Sequence, residues 1–148
     1  MSIIHSKADV VHCKIATGIK VWKFVCILES AIFSESCNIR PNYLIERDVW
    51  VSNSVTVYSD VYLWTGVIIS DNVFVGPSVG LMNDLFTRFK QHLRVFAKIL
   101  VFGGTSIGAS ATTLAGVTVG AGAVVTRDVP ERAVVADNPA KILRYTDN

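Results

Sequence analysis

The chain has 148 residues, of which 51% are hydrophobic, and a formal charge of +2. This length suits one domain with a continuous core, so we predict a single domain over residues 1–148. No stretch approaches the roughly 20 consecutive apolar residues of a membrane helix. The first ten residues lack the apolar region of a signal peptide, and the charge is too small to argue for nucleic acid. We therefore expect neither a nucleic-acid nor a membrane partner.

The cysteines and histidines argue against disulfides and metals. Cys13, Cys26 and Cys37 are odd in number and contain no CxxC pair, so neither a disulfide framework nor a zinc site is predicted. A metal site of the carbonic anhydrase type needs three convergent histidines, and the three in this chain are spread along the sequence. We expect no metal ion and a reducing, cytoplasmic location.

Large apolar residues recur at every sixth position. The first series is Ile15, Val21, Ile27, Phe33, Ile39, Ile45, Val51, Val57, Leu63, Ile69, Val75 and Leu81. A second series is Ile19, Val25, Ala31, Cys37, Tyr43, Val49, Val55, Val61, Val67, Val73 and Val79. With the exception of Phe24, the residue before each member of the second series tolerates a tight turn: Gly18, Ser30, Ser36, Asn42, Asp48, Ser54, Asp60, Gly66, Asn72 and Ser78.

A six-residue unit with two inward positions and a turn predicts a short strand followed by a corner. Three such units close a triangular coil of about 18 residues, and successive coils stack their apolar residues in ladders. Each buried side chain contributes roughly 1.5–3 kcal/mol. A β-sandwich, the alternative, would show turn signals every 8–12 residues or so. The prediction is an all-β fold, a left-handed parallel β-helix of hexapeptide repeats.

The period of six stops after Leu81, and we predict a loop excursion over residues 83–100. His92 lies in it and is the one histidine whose location suits an imidazole base. The period then resumes at Val101, and Pro130 and Pro139 are expected to end the strand pattern.

Outward residues 18 positions apart should share a face of the coil. This rule places Trp50, Trp64 and Ile68 on one apolar face and groups Trp22 with Tyr62 on a second, mixed face. The third face carries mostly small polar residues. Two apolar faces that share an edge predict three prisms packed around a threefold axis.

Two halves of the sequence carry a resemblance to a known family. The run from Val21 to Asp84, with "LWTGVIISDNVFVGPSVGLMNDLF" and "NDLFTR", resembles the hexapeptide-repeat acyltransferases. Within them it is most like the N-acetyltransferases acting on nucleotide-linked 3-amino-3,6-dideoxyhexoses. The later segments "SIGASATTLAGVTVGAGAVVTRDVP" and "NPAKI" are similar to the acetyl-CoA-binding end of that superfamily. The resemblance implies acetyl-CoA as co-substrate, a nucleotide-linked amino sugar as acceptor, and a homotrimer with active sites between neighbours.

The resemblance also implies a set of site residues. Asn83 and Asp84, which open the excursion, become the candidate catalytic pair, because an amine acceptor needs a group that orients its lone pair and a group that takes its proton. Arg88 and Trp64 are the candidate substrate-binding residues. The planar guanidinium of Arg88 suits phosphate oxygens. The candidate coenzyme-binding residues are Ser106, Gly116, Arg127 and Lys141.

The sequence departs from the family in ways that keep other functions open. One hexad is missing between Thr113 and Val119, and regular winding would then rotate Arg127 and Lys141 by a third of a coil. Phe102 and Gly103 stand where a basic pair is expected. The alternatives are a trimeric β-helix protein that has lost the transferase site and an O-acetyltransferase with a different acceptor.

Overall fold

The computed structural model describes residues 1–84, 96, 98–113 and 118–146. Within these residues the chain forms short strands and no helix. In chain order the strands are β1 (Ile3–Ile4), β2 (Asp9–Val10), β3 (Lys14–Ile15), β4 (Lys20–Val21), β5 (Val25–Ile27), β6 (Ile32–Phe33), β7 (Asn38–Ile39), β8 (Tyr43–Ile45), β9 (Trp50–Val51), β10 (Thr56–Val57), β11 (Tyr62–Leu63), β12 (Val67–Ile69), β13 (Phe74–Val75), β14 (Gly80–Leu81), β15 (Ile99–Val101), β16 (Ser106–Ile107), β17 (Thr112–Thr113), β18 (Thr118–Val119), β19 (Ala133–Ala136) and β20 (Lys141–Tyr145).

The strands form three sheets, which are the three sides of a prism, and the pairing is parallel except between β19 and β20. Sheet A runs β1-β4-β7-β10-β13-β16-β18-β19-β20, sheet B runs β2-β5-β8-β11-β14-β17, and sheet C runs β3-β6-β9-β12-β15. From β1 to β17 consecutive strands fall on successive sheets, so this part of the chain winds A, B, C and back to A. The predicted all-β, left-handed parallel β-helix is confirmed.

Both apolar series point into the prism. The core holds all but Ile15 of the residues predicted from the two series, and most of them are completely inaccessible to solvent. Each predicted turn residue has a positive φ, from 54° at Asp48 to 86° at Gly66. Six-residue spacing therefore fixes both the ladder and the corners, because the left-handed residue turns the chain from one sheet to the next.

The coil begins earlier than the period of six indicates. Val10 of β2 pairs with Ile27, whereas Ile15 of β3 pairs with Phe33 three full hexads later. The first coil is therefore one residue short between β2 and β3, where His12 has a φ of 38°. That missing residue hides the first coil from a strict six-residue search.

The excursion and the C-terminus also differ from expectation. Ile99 and Leu100 belong to β15 and pair with Val67 and Ile68, so the solenoid resumes before residue 101. Pro130 and Pro139 do not end the strands. They flank β19, which extends sheet A in parallel, and β20 returns beside it antiparallel.

The missing hexad shortens one coil instead of rotating the later strands. Ile107 of β16 pairs with Val119 of β18 only two hexads later, and both lie on sheet A. Sheet C has no described strand beyond β15. The spacing between paired residues falls from three hexads to two, so the described residues after Val119 keep the side of the prism that a complete coil would have given them. The expected rotation of Arg127 and Lys141 is therefore wrong.

Glycine permits this tight winding. A Cβ on Gly108 would lie 2.5 Å from the backbone nitrogen of Ala121, and one on Gly120 would lie 2.9 Å from the Cβ of Ala136. Both distances are shorter than packed side chains adopt, so a larger residue would push the next coil away.

The predicted grouping of outer residues is also wrong. Trp50 pairs with Ile68 on sheet C, but Trp64 follows β11 on sheet B, where its ring stacks on Tyr62 with 5.7 Å between centroids. The reason is geometric. Each side of the prism includes the outward residues before and after its inward residue. The corner therefore lies two residues later in the sequence than the predicted grouping assumed.

Candidate active site

Asn83 is fixed by the corner where sheet B turns toward sheet C. Its Nδ2 donates a hydrogen bond of 3.0 Å to the backbone oxygen of Thr65, and the residue is only 9% exposed. Thr65 is in turn held by Glu46, whose Oε2 accepts from the Thr65 backbone N–H at 2.9 Å and from its hydroxyl at 2.8 Å. Hydrogen bonds across three successive coils therefore anchor the amide nitrogen of Asn83 at the start of the excursion.

An aromatic surface lies on sheet B beside this corner. The rings of Tyr62 and Trp64 stack with an interplanar angle of 22°, and Trp64 directly precedes Thr65. Gly80 pairs with Tyr62 in the next coil. Because Gly80 has no side chain, it does not cover Tyr62 from the next coil, and among the described residues a Cβ at position 80 would meet only Thr112, at 3.6 Å. A planar or pyranose group could lie on this surface.

The other residues predicted at the excursion are only partly described. Asp84 follows Asn83 and is half-buried. Arg88 and His92 lie outside the described residues, so their predicted roles stay predictions. The structure thus brings together Asn83, Asp84 and Trp64 of the acceptor-side candidates.

Register places Arg127 above the same corner. Gly80 pairs with Thr112, and Thr112 with Val124, in successive layers of sheet B. Asn83 lies three residues after Gly80, and Arg127 lies three residues after Val124. Both residues therefore leave sheet B on the same side. Two layers separate them, which corresponds to about 10 Å along the prism.

A cavity of about 330 Å³ lies at the C-terminal end. Its lining is Val125, Thr126, Arg127, Asp128, Val129, Pro130, Val135, Pro139, Ala140 and Ile142. The walls are mostly apolar, and the exposed Arg127 supplies a cation at the rim. This combination suits a ligand with an apolar arm and an anionic group.

Lys141 and Ser106 lie outside this cavity. Lys141 is exposed and forms an ion pair with Asp137, with Nζ 3.4 Å from Oδ2. The pKa of Asp137 is lowered, first by the hydrogen bond from the Asn138 backbone N–H and then by Lys141. Ser106 is exposed on sheet A, where two strands lie between β16 and β20. Gly116 is outside the described residues.

The structure adds three residues that the sequence did not single out for the site. Glu46 and Thr65 position Asn83, and Tyr62 completes the surface of Trp64. The 18-residue repeat links Thr65 to Asn83 and could have indicated that contact. Tyr62 was missed because the sequence assigned it to a different face from Trp64.

Metal sites and membrane-spanning helices are absent from the described residues. Among the residues with described positions, no group of three His, Cys, Asp or Glu side chains could hold a metal ion. Likewise, the described part of the chain contains no helix long and apolar enough to cross a membrane.

Comparison with known proteins gives a close sequence relative. The chain is 44% identical over 148 residues to the dTDP-3-amino-3,6-dideoxy-α-D-galactopyranose 3-N-acetyltransferase of Aneurinibacillus thermoaerophilus, covering 96% of this chain and 77% of the relative. No family model matches the chain.

Two solved structures share the fold. WeeI from Acinetobacter baumannii aligns with a TM-score of 0.60 at 21% identity, over 97% of this chain and 58% of its own. A hexapeptide-repeat acetyltransferase of Vibrio cholerae, solved with acetyl coenzyme A, aligns with a TM-score of 0.56 at 23% identity, over 78% and 71%. The present chain thus spans little more than half of WeeI. By its coiled architecture and its sequence relative, the chain belongs to the hexapeptide-repeat acetyltransferase family.

Proposed function

We propose that the protein transfers the acetyl group of acetyl-CoA to the amine of a nucleotide-linked 3-amino-3,6-dideoxyhexose. The observation that carries this proposal is the 44% identity to an enzyme named for that reaction. It is supported by a site in which one edge of the prism aligns Asn83 with Arg127. An acceptor group and a coenzyme group can therefore be organised along a single corner.

We assign the binding of the acceptor amine to Asn83. Because Nδ2 is committed to Thr65, the carbonyl end of the amide is the part that we assign to the substrate N–H. An amide carries no charge, so it orients the amine lone pair at any pH. The amine attacks the thioester carbonyl, the oxyanion forms, and collapse releases coenzyme A as the thiol. We assign to Asp84 either the removal of the amine proton or the anchoring of the excursion.

The remaining groups bind the two substrates. Trp64, with Tyr62, forms a surface for the sugar or its base, and Arg88 is assigned to the diphosphate. Arg127 at the C-terminal cavity is assigned to a coenzyme phosphate, and Lys141, Ser106 and Gly116 are assigned to further coenzyme contacts. Lys141 must exchange its ion pair with Asp137 for such a contact, so we expect it to contribute less than Arg127.

The assembly is proposed to be a homotrimer that packs through sheet C. Ile32, Trp50, Ile68 and Leu100 form an outward apolar column on that sheet, and Trp50 is 50% exposed. Burial against neighbouring subunits would remove this column from water. Because the enzyme would consume acetyl-CoA, we place it in the cytoplasm.

Calorimetric titration with acetyl-CoA tests the coenzyme half of the proposal. We expect binding that is tighter than that of dephospho-acetyl-CoA, and a loss of about 1–3 kcal/mol in Arg127→Gln if it makes a charge-assisted phosphate contact. A smaller loss is expected in Lys141→Ala. Absence of binding in the wild type would favour a β-helix protein that has lost the transferase site.

A further inference from the structure

The positive charge of the chain is concentrated at its N-terminal end. The segment 1–23 contains four lysines and a single carboxylate, Asp9, a formal charge of +3 that exceeds the +2 of the whole chain. The segment 24–148 is therefore slightly negative. Asp9 lies on sheet B beside Cys26, whereas Lys20 lies on sheet A beside Ile3. The net charge of +2 therefore does not reveal that the N-terminal segment is basic while the rest of the chain is nearly neutral.

Phe24 is an exception to the structure of the corners. Its φ is 59°, and every other described residue with positive φ is a glycine or carries a polar side chain. An aromatic residue in this region is strained. Burial does not offset the strain, because Phe24 is 54% exposed. Phe24 therefore exposes its phenyl ring to solvent at a cost to stability. A feature of this kind indicates a role in binding and not in folding.

Backbone pairing joins these residues into one surface. Ile3 pairs with Lys20, and the Phe24 N–H donates to the Lys7 oxygen at 3.0 Å. The ammonium groups of Lys7 and Lys23 lie 5.8 and 5.6 Å from the centre of the Phe24 ring. The N-terminal patch consists of Ile3, Lys7, Lys20, Trp22, Lys23 and Phe24, all of which are exposed.

Although the sequence led us to expect no membrane partner, we propose that the N-terminal patch docks the protein onto the surface of an anionic phospholipid bilayer. Exposed aromatic and aliphatic side chains ringed by lysines are the combination that such an interface selects. Trp22 and Phe24 enter the headgroup region, and the three lysines contact lipid phosphates. Nucleic acid would complement the charge but gives no reason for an exposed isoleucine and a strained phenylalanine, and an acidic protein as the partner would leave anionic vesicles unbound in the test below.

The test is co-sedimentation with vesicles of phosphatidylcholine that contain about one-third phosphatidylglycerol. The wild type should bind these and not pure phosphatidylcholine, and binding should fall as salt rises from about 0.05 to 0.3 M. Phe24→Ser should weaken binding about fivefold, and the double variant Lys7→Gln, Lys23→Gln about 25-fold. Serine occupies several of the other corners, so Phe24→Ser should fold at least as stably.

Phe74→Ser is the matched control, because Phe74 is 39% exposed and lies on β13 of sheet A, three strands along that sheet from Lys20 of the patch and outside the proposed trimer face. It should bind vesicles as the wild type does. Acetyl transfer without vesicles should be unchanged in Phe24→Ser, so a failure of docking is distinct from a failure of the proposed function. Wild-type protein that ignores anionic vesicles, or patch variants that bind them equally well, would overturn the proposal.

Discussion

Ile107 lies directly beside Val119 on sheet A, although only two hexads separate them along the chain. Elsewhere on this sheet, Val21 and Ile39 or Ile39 and Val57 are neighbours at a spacing of three hexads. The spacing between neighbours therefore falls by one hexad here, and the later strands stay on the side of the prism where a complete coil would place them.

Insertion of hexads between Thr113 and Thr118 tests this interpretation. One added hexad should complete the coil and leave Arg127 at its corner, so acetyl-CoA binding should persist. Two added hexads should rotate everything downstream by one side of the prism and weaken binding by about tenfold or more. Calorimetry of the two insertions gives the comparison. Equal binding by both would show that the side on which Arg127 lies does not matter.

Replacement of Asn83 tests the assignment of the acceptor amine. Asn83→Ala removes the amide that Thr65 orients, and we expect kcat to fall about tenfold or more, with little change in KM, if alignment acts in the transition state. Steady-state kinetics with an amino-sugar nucleotide measures both constants. By contrast, Arg88→Ala should mainly raise KM, since its assigned role is substrate binding.

Asn53 provides a structural control for Asn83. It is another corner asparagine, whose Oδ1 accepts from the Glu35 N–H at 3.0 Å and whose Nδ2 donates to Asp71 at 3.0 Å. Asn53→Ala should lower the free energy of unfolding by about 1–2 kcal/mol and leave kcat unchanged. If both variants lose kcat in proportion to stability, Asn83 has only a structural role.

The two tryptophans Trp50 and Trp64 should separate assembly from substrate binding. Trp50→Glu puts a charge into the apolar column of sheet C, so we expect the trimer to dissociate at concentrations at which the wild type stays assembled. Trp64→Glu, on sheet B, should leave the trimer intact and raise KM for the sugar nucleotide. Sedimentation equilibrium distinguishes the two, and dissociation by Trp64→Glu alone would move the interface to sheet B.

Tyr43 should make the fold sensitive to alkali. Its hydroxyl is buried without a hydrogen-bond partner among the described residues, and burial, aided by the negative charge of Asp60, raises the pKa of Tyr43 above its ordinary value. Tyrosine in the unfolded chain ionises near pH 10 or so, whereas the buried ring stays neutral. Stability is thus fully present below about pH 10 and decreases above it, at roughly 1.4 kcal/mol per pH unit.

Tyr43→Phe removes that dependence. The variant should be as stable as the wild type at neutral pH, or more stable by about 1 kcal/mol, because an unpaired buried hydroxyl is lost. Urea unfolding at pH values on both sides of 10 measures the difference. Parallel loss of stability in both proteins would assign the alkaline sensitivity to other groups.

The sequence was informative where a local rule repeats. A strict period of six predicted the inward ladder and the left-handed corners, because each depends on side-chain type within one hexad. It could not reveal that the first coil is a residue short at His12 or that the spacing between paired residues falls to two hexads after Ile107. Both depend on which strands pair across coils, and pairing is a long-range property.

The candidate site was predicted in part for the same reason. Asn83 stood out because it ends the repeat, but its partner Thr65 becomes visible only when two coils are superposed. The stacking of Tyr62 on Trp64 was missed because the position of the corner decides which outward residues share a side. Small errors in the corner position therefore move a residue to the wrong face.

Turnover of a nucleotide-linked amino sugar tests the central claim most directly. The purified protein is incubated with acetyl-CoA and a dTDP-linked 3-amino-3,6-dideoxyhexose, and free thiol and acetylated sugar nucleotide are both quantified. We predict that one equivalent of each forms and that the corresponding 3-hydroxy sugar nucleotide is not acetylated. Acetylation of the hydroxyl compound, or no thiol release with any amine or alcohol acceptor, would contradict the account.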